Sequence, residues 1–219
     1  MKRSIILIMT LMALSIAYAE GENCLPANLN SAFTLGAKNS SSLQVNFTLP
    51  EYTLQEETQG ETVYRKIELP LSGTLLASGM PELPVICTSI AIPCKGTVNY
   101  EVLSTRQTVI PDFLPYPVQQ GNNLESPKSF VINNNYYHSG GIYPETLMEI
   151  SEPSILRDFR IITIQINPFA YNAQSGDLTV YQDISFRLNF TDEQGINELV
   201  SEPTNISASF AKIYESVIL

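Results

Sequence analysis

Apolar and polar residues alternate with a period of two along much of this chain. Leu43, Val45, Phe47 and Leu49 are spaced by polar residues, as a strand with one buried face requires. A second strand is expected over residues 63–69, after an acidic loop running from Glu51 to Glu61. Residues 85–92 form the most apolar run and predict a central strand, ended by Pro93-Cys94-Lys95-Gly96. Val98, Tyr100 and Val102 alternate again, and Ile162, Ile164 and Ile166 line one face of a later strand. Residues 178–181 and the set Ile184, Phe186, Leu188 and Phe190 complete the pattern. Ala173-Gln174-Ser175-Gly176 lies between two of these runs and reads as a hairpin loop.

Helical periodicity is scarce. Phe210, Ile213, Tyr214 and Val217 fall on one helical face near the end, with Ser207 or Ser209 placed to cap it. Between Val109 and Tyr143 no period holds. That stretch carries Pro111, Pro115, Pro117 and Pro127, then Asn133-Asn134-Asn135 and Gly140-Gly141. Irregular segments of this length are uncommon in compact domains and are often functional or disordered. Many short strands, Pro- and Gly-rich turns and one late helix predict an all-β protein, an antiparallel β-sandwich with a short C-terminal helix.

The first nineteen residues stand apart from this pattern. Lys2 and Arg3 precede an apolar run from Ile5 to Ala17, and Ala17-Tyr18-Ala19 supplies small residues for cleavage before Glu20. This is the form of a secretory signal peptide, with residues 20–219 as one domain. Cys24 follows Glu22 and Asn23, which is not a lipid-attachment context. No later segment is apolar and long enough for a helical membrane span. About 200 residues bury roughly 70% of their unfolded surface without needing a disulfide. Without Lys2 and Arg3 the chain has 10 basic and 22 acidic side chains, a formal charge of −12. That surface repels nucleic acid and suits a basic partner.

Chemistry of its own is hard to find in the chain. It has one histidine, His138, in Asn135-Tyr136-Tyr137-His138-Ser139-Gly140-Gly141. A His–Gly-Gly neighbourhood can form an anion nest, but a lone loop histidine is far more often simply solvated. None of Cys24, Cys87 and Cys94 lies in a nucleophile motif. Cys87 and Cys94 pair only if the turn at Pro93 brings them together; Cys87, inside an apolar run, reads as a small buried hydrophobe. There is no zinc or calcium spacing and no glycine-rich phosphate cradle, so no cofactor or metal is expected. The Asn-x-Ser/Thr sequons at Asn39, Asn46, Asn189 and Asn205 are read as incidental, since two lie inside expected strands. One function open to such a chain is a secreted adhesion or glycan-binding module, with Tyr136, Tyr137 and Tyr143 stacking on a sugar.

A second reading rests on ordered motifs. Gly79-Met80-Pro81-Glu82-Leu83-Pro84, Tyr143-Pro144-Glu145, Ile155-Leu156-Arg157-Asp158-Phe159-Arg160, Asn167-Pro168-Phe169-Ala170-Tyr171-Asn172, Gly176-Asp177-Leu178-Thr179-Val180-Tyr181 and Phe210-Ala211-Lys212-Ile213-Tyr214-Glu215-Ser216-Val217 occur in this sequence. In order and spacing, from about Leu43 to Leu219, they resemble the N-terminal pro-domain of gingipain-type secreted cysteine peptidases. The resemblance implies a jelly-roll-like β-sandwich without catalytic residues. Such a domain covers the active cleft of its own protease, keeps it latent and assists its folding. The implied partner is that catalytic domain, in the same precursor, and the implied setting is a bacterial periplasm, cell surface or exterior. Arg157 and Arg160 are read as structural, paired with acids at a strand start or solvated. In the family a loop places an Arg or Lys in the specificity pocket. The matching loop here runs from about Gln119 to Ser129, and the protease-facing residues are Asn122, Asn123, Leu124, Glu125 and Lys128. The sequence departs from the family there: Asn122, Asn123 and Leu124 stand nearest the inhibitory position, and Lys128 is the only base. Release is expected to follow cleavage in or just beyond Val217-Ile218-Leu219.

Overall fold

The computed structural model of the protein describes residues 30–119, 129–201 and 206–219. The expected signal peptide, residues 1–19, lies outside them. Thirteen strands are described: β1 (Phe33–Lys38), β2 (Ser42–Thr48), β3 (Thr53–Gln59), β4 (Thr62–Glu68), β5 (Gly73–Thr74), β6 (Pro84–Ala91), β7 (Thr97–Ile110), β8 (Ile142–Tyr143), β9 (Met148–Ile150), β10 (Ser154–Leu156), β11 (Phe159–Ile166), β12 (Phe169–Asn172) and β13 (Asp177–Thr191). Two α-helices, α1 (Asn134–Ser139) and α2 (Ala208–Val217), and a short 3-10 helix, Asn30–Ala32, complete the described elements.

These strands form an antiparallel β-sandwich. β13 is the spine of the first sheet. β7 pairs along its whole length on one edge, while β12 and β2 share the other. β1 and β8 extend that sheet at its two ends. In the second sheet β11 lies between β6 and the pair β9 and β10, with β5 beyond β6. Leu43, Val45 and Phe47 from β2, Leu178, Val180, Ile184, Phe186 and Leu188 from β13, and Ile162, Ile164 and Ile166 from β11 meet in one core. Burial of this apolar surface is the main force holding the sheets together.

Four features differ from the sequence-based expectations. Glu51 to Glu61 is not a loop: β3 occupies most of it and pairs residue by residue with β4. Every β3 side chain is exposed, so this strand lacks the one-sided apolar pattern by which a strand is recognised. Val98, Tyr100 and Val102 do lie on a strand, but Tyr100 and Val102 stay 37% and 38% exposed. They are paired with Leu188 and Phe186, so they share the core-facing side at the rim, beyond full cover. Leu103 and Gln182 are skipped in the pairing as bulges, one on each strand.

Arg160 is the third. It is 2% exposed, and among the described residues its hydrogen bonds go to carbonyls rather than to an acid. Its guanidinium donates to the carbonyl oxygens of Pro93 (3.0 Å), Gly96 (2.8 Å) and Ile196 (2.8 and 3.1 Å). A fixed fork of N–H donors suits several carbonyls at once. It ties the turn after β6 to the loop after β13. Glu198 caps the same junction, accepting from the backbone N–H of Gly96 and Gly195, both at 2.9 Å. Arg157 is the surface arginine, beside Asp158 at 3.4 Å and stacked 3.7 Å over the ring of Phe210.

The fourth is Cys87. It is buried, as expected, but it is disulfide-bonded. Cys94 is a free thiol, so the partner of Cys87 is not Cys94 and lies outside the described residues.

The late helix forms as the periodicity predicts. Ser207 occupies its N-cap position, without a side-chain capping bond. Tyr214 carries the docking: its ring packs edge-on against Phe159 at 4.8 Å and its hydroxyl donates to Asp158 at 2.5 Å. After α2 the backbone N–H of Leu219 donates to the carbonyl of Ser89 at 2.9 Å. The segment expected to be cleaved is therefore laid against β6.

Candidate functional site

The proposed protease-facing residues Asn122, Asn123, Leu124, Glu125 and Lys128 lie outside the described residues. What is described is the pair of chain segments that leads into and out of them, residues 113–119 and 129–133. These described parts of the expected irregular stretch are held by hydrogen bonds that follow no period.

Gly79 sits between the two segments. Its N–H donates to the carbonyl of Val118 (2.9 Å), and its own carbonyl accepts from the N–H of Asn133 (2.9 Å). Met80 and Glu82 continue the pairing, with Val118 N–H donating to Met80 (2.8 Å) and Glu82 N–H donating to Tyr116 (2.8 Å). The motif Gly79–Pro84, which the sequence marks only as a strand lead-in, is thus a platform under both segments. Gly79 adopts φ +75°, and a Cβ there would lie 2.9 Å from the backbone nitrogen of Asn133. Both facts require glycine.

Other elements hold the first segment from its sides. β4 contributes two backbone bonds, Arg65 N–H to Leu114 (2.7 Å) and Tyr116 N–H to Arg65 (2.9 Å). The hydroxyl of Tyr137, on α1, donates to Pro115 (2.9 Å). Tyr64, Tyr116 and Phe130 form a ring triad with centroids 5.5 to 5.9 Å apart, so one aromatic residue from each segment meets on β4. Lys66 lies 4.3 Å above the Tyr116 ring and 3.8 Å from Glu82. Burial raises the Glu82 carboxyl above the usual carboxylate range, and Lys66 partly offsets this.

The side chain of Gln119 closes the pair of segments. Its Oε1 accepts from Val131 N–H (2.9 Å), while its Nε2 donates to the carbonyls of Val131 (2.8 Å) and Pro117 (2.9 Å). One carboxamide thereby reproduces a strand-like pairing with Val131, using both donors and the acceptor.

His138 and its neighbours offer no catalytic arrangement. His138 lies on α1, not in a loop, and its Nδ1 is 2.7 Å from the carbonyl of Asn134. Tyr136 packs against Tyr137, Tyr143 and Tyr171. Its hydroxyl donates to the carbonyl of Tyr171 (3.0 Å). Burial pushes the Tyr136 and Tyr137 phenols well above their ordinary range. These rings are committed to one another rather than presented as a sugar platform. The nearby cleft lined by Met80, Tyr136, Tyr143, Glu145 and Asn172 contains neither histidine nor cysteine. Among the described residues no cluster of His, Cys, Asp or Glu is arranged to hold a metal ion.

The fold and this platform define an antiparallel β-sandwich module. The chain belongs to the Propeptide_C25 family, which it matches over residues 26–216. Gingipain R2 of Porphyromonas gingivalis is 27% identical over 143 residues, 64% of this chain and 19% of that protein. Lys-gingipain of the same organism is 25% identical over 180 residues, 78% of this chain and 10% of that protein. The chain therefore spans between a tenth and a fifth of the length of these curated relatives. The fold matches the complex of the RgpB pro- and mature domains of P. gingivalis, with a TM-score of 0.73 at 22% identity, covering 86% of this chain and 96% of that one. It also matches a structure addressing zymogenic latency of gingipain K from P. gingivalis, with a TM-score of 0.62 at 20% identity, covering 78% and 96% of the two chains.

Proposed function

We propose that this chain, as the propeptide of a gingipain-like cysteine endopeptidase, keeps that enzyme latent by covering its active cleft and assists its folding. The partner is the catalytic domain of the same precursor. The precursor is exported from a bacterial cell by residues 1–19, which are then removed. The observation that carries this reading is the platform. Residues 120–128 are strung between two segments that Gly79 holds side by side. A segment whose ends are already fixed loses less freedom on entering a cleft. Asn122, Asn123, Leu124, Glu125 and Lys128 are the residues assigned to the cleft. Lys128 is the one base among them, so an enzyme selective for basic side chains would be met by Lys128, and an enzyme with another preference by Asn122 to Leu124.

The test is an inhibition titration. The secreted form of the chain, residues 20–219, is added to the isolated catalytic domain of its precursor, and hydrolysis of a fluorogenic peptide is followed. Stoichiometric loss of activity is expected. Undiminished hydrolysis at saturating propeptide would remove the proposal. The acidic surface predicts that association slows as salt is added.

A further inference from the structure

We propose that Gln119 is a positioning residue for inhibition: its carboxamide locks Val131 beside Pro117 and so sets the spacing and direction of the chain on either side of residues 120–128. The inference rests on the latency reading above and adds to it a residue that acts through its neighbours in the chain.

The argument begins with what the backbone does and does not do. Gly79 joins Val118 to Asn133, but its bonds stop there. Farther along, toward residues 120–128, the backbone of Gln119 and the backbone of Val131 have no bond to each other among the described contacts. The Gln119 side chain supplies both missing links, at 2.8 and 2.9 Å, and a third to Pro117 at 2.9 Å that fixes its own orientation. The geometry is selective. Glutamate would place a carboxylate against the carbonyls of Pro117 and Val131, which have no proton to give. Methionine fills the space and makes none of the bonds. Asparagine keeps the amide and falls one methylene short.

Gln119 is half-buried and lies beside a fold that the two sheets already stabilise. Its loss is therefore expected to leave the sandwich intact and to free the last clamped residues at the base of the segment. Residues that must be ordered anew on binding weaken it.

The experiment compares wild-type chain with Gln119→Met and Gln119→Glu. Two readouts are taken: the inhibition constant against the precursor's catalytic domain, and amide hydrogen exchange in the free chain. Expected are inhibition weakened about tenfold in both variants, faster exchange at the Val131 amide, and unchanged protection at Gly79 and Glu82. Gln119→Asn gives the same comparison should Gln119→Met not fold. Equal inhibition by wild type and variants overturns this role and leaves the latency proposal standing. Weaker inhibition accompanied by lost protection at Gly79 and Glu82 also overturns it, because the effect is then one of general stability. A wild-type chain that does not inhibit removes the latency proposal, and this inference with it.

Discussion

The guanidinium of Arg160 lies 2.8 Å from the carbonyl oxygen of Gly96, inside the fold. Its charge is compensated by carbonyl dipoles from two separate turns. Substitution by methionine keeps much of the volume and leaves the carbonyls of Pro93, Gly96 and Ile196 short of donors. The expected cost is about 3 kcal/mol in unfolding free energy, measured by urea denaturation. A loss below about 1 kcal/mol would show that water replaces the arginine.

Gly79→Ala introduces strain at φ +75° and a methyl group against the backbone of Asn133. The strain alone is worth about 1 to 2 kcal/mol. The chain is expected to unfold at lower denaturant, with exchange at Asn133 accelerated most. Retention of wild-type stability together with wild-type protection at Asn133 would contradict the platform described here.

The thiols are expected to differ in reactivity. Cys94 is free and partly exposed, so it should take up an alkylating reagent from the native, unreduced protein. Cys87 is disulfide-bonded and should react only after reduction and unfolding. Peptide mapping that finds Cys87 labelled without reductant would refute the assignment.

Glu82 and Glu198 are expected to titrate on opposite sides of the ordinary carboxylate value. Burial raises Glu82. Its native form then holds a proton over a pH range where the unfolded form has lost it, so stability falls as pH rises through that window. Glu198 is lowered by the N–H groups of Gly195 and Gly96. Its contribution is present above the unfolded value and is lost as pH falls through the lower native one. Carboxyl carbon shifts followed by NMR from about pH 2 to about pH 7 would order the two, and Glu82→Gln should flatten the upper part of the stability profile. Glu198 titrating above Glu82 would reverse the assignment.

The sandwich core was legible because its strands have one wet and one dry side. Leu43, Val45 and Phe47 announce β2 by alternation, and all three are buried. β3 was not legible, since a strand with every side chain in water carries no such contrast. Arg160 is structural, as the sequence suggests, but its partners are not legible there: sequence assigns an arginine to water or to an acid, and here backbone carbonyls from distant turns take that place. The platform shows the same limit. Pro115, Pro117 and Gly79 mark turns, but only the folded chain brings Val118 and Asn133 to either side of one glycine. Asn133 itself is an N-cap whose side chain accepts from Tyr136 N–H, a capping signal present in the sequence and overlooked beside its neighbouring asparagines.

The order in which β13 meets its neighbours bears on when the fold can form. Asn46 on β2 bonds to Ser185 on β13 across 139 residues of chain, and β7 and β12 also depend on that late strand. While β13 has yet to be synthesised, the larger sheet has no centre and its early strands have nothing to dock against. Contacts so distant in sequence form slowly. A polypeptide built this way commits to its final shape only once its late strand is present.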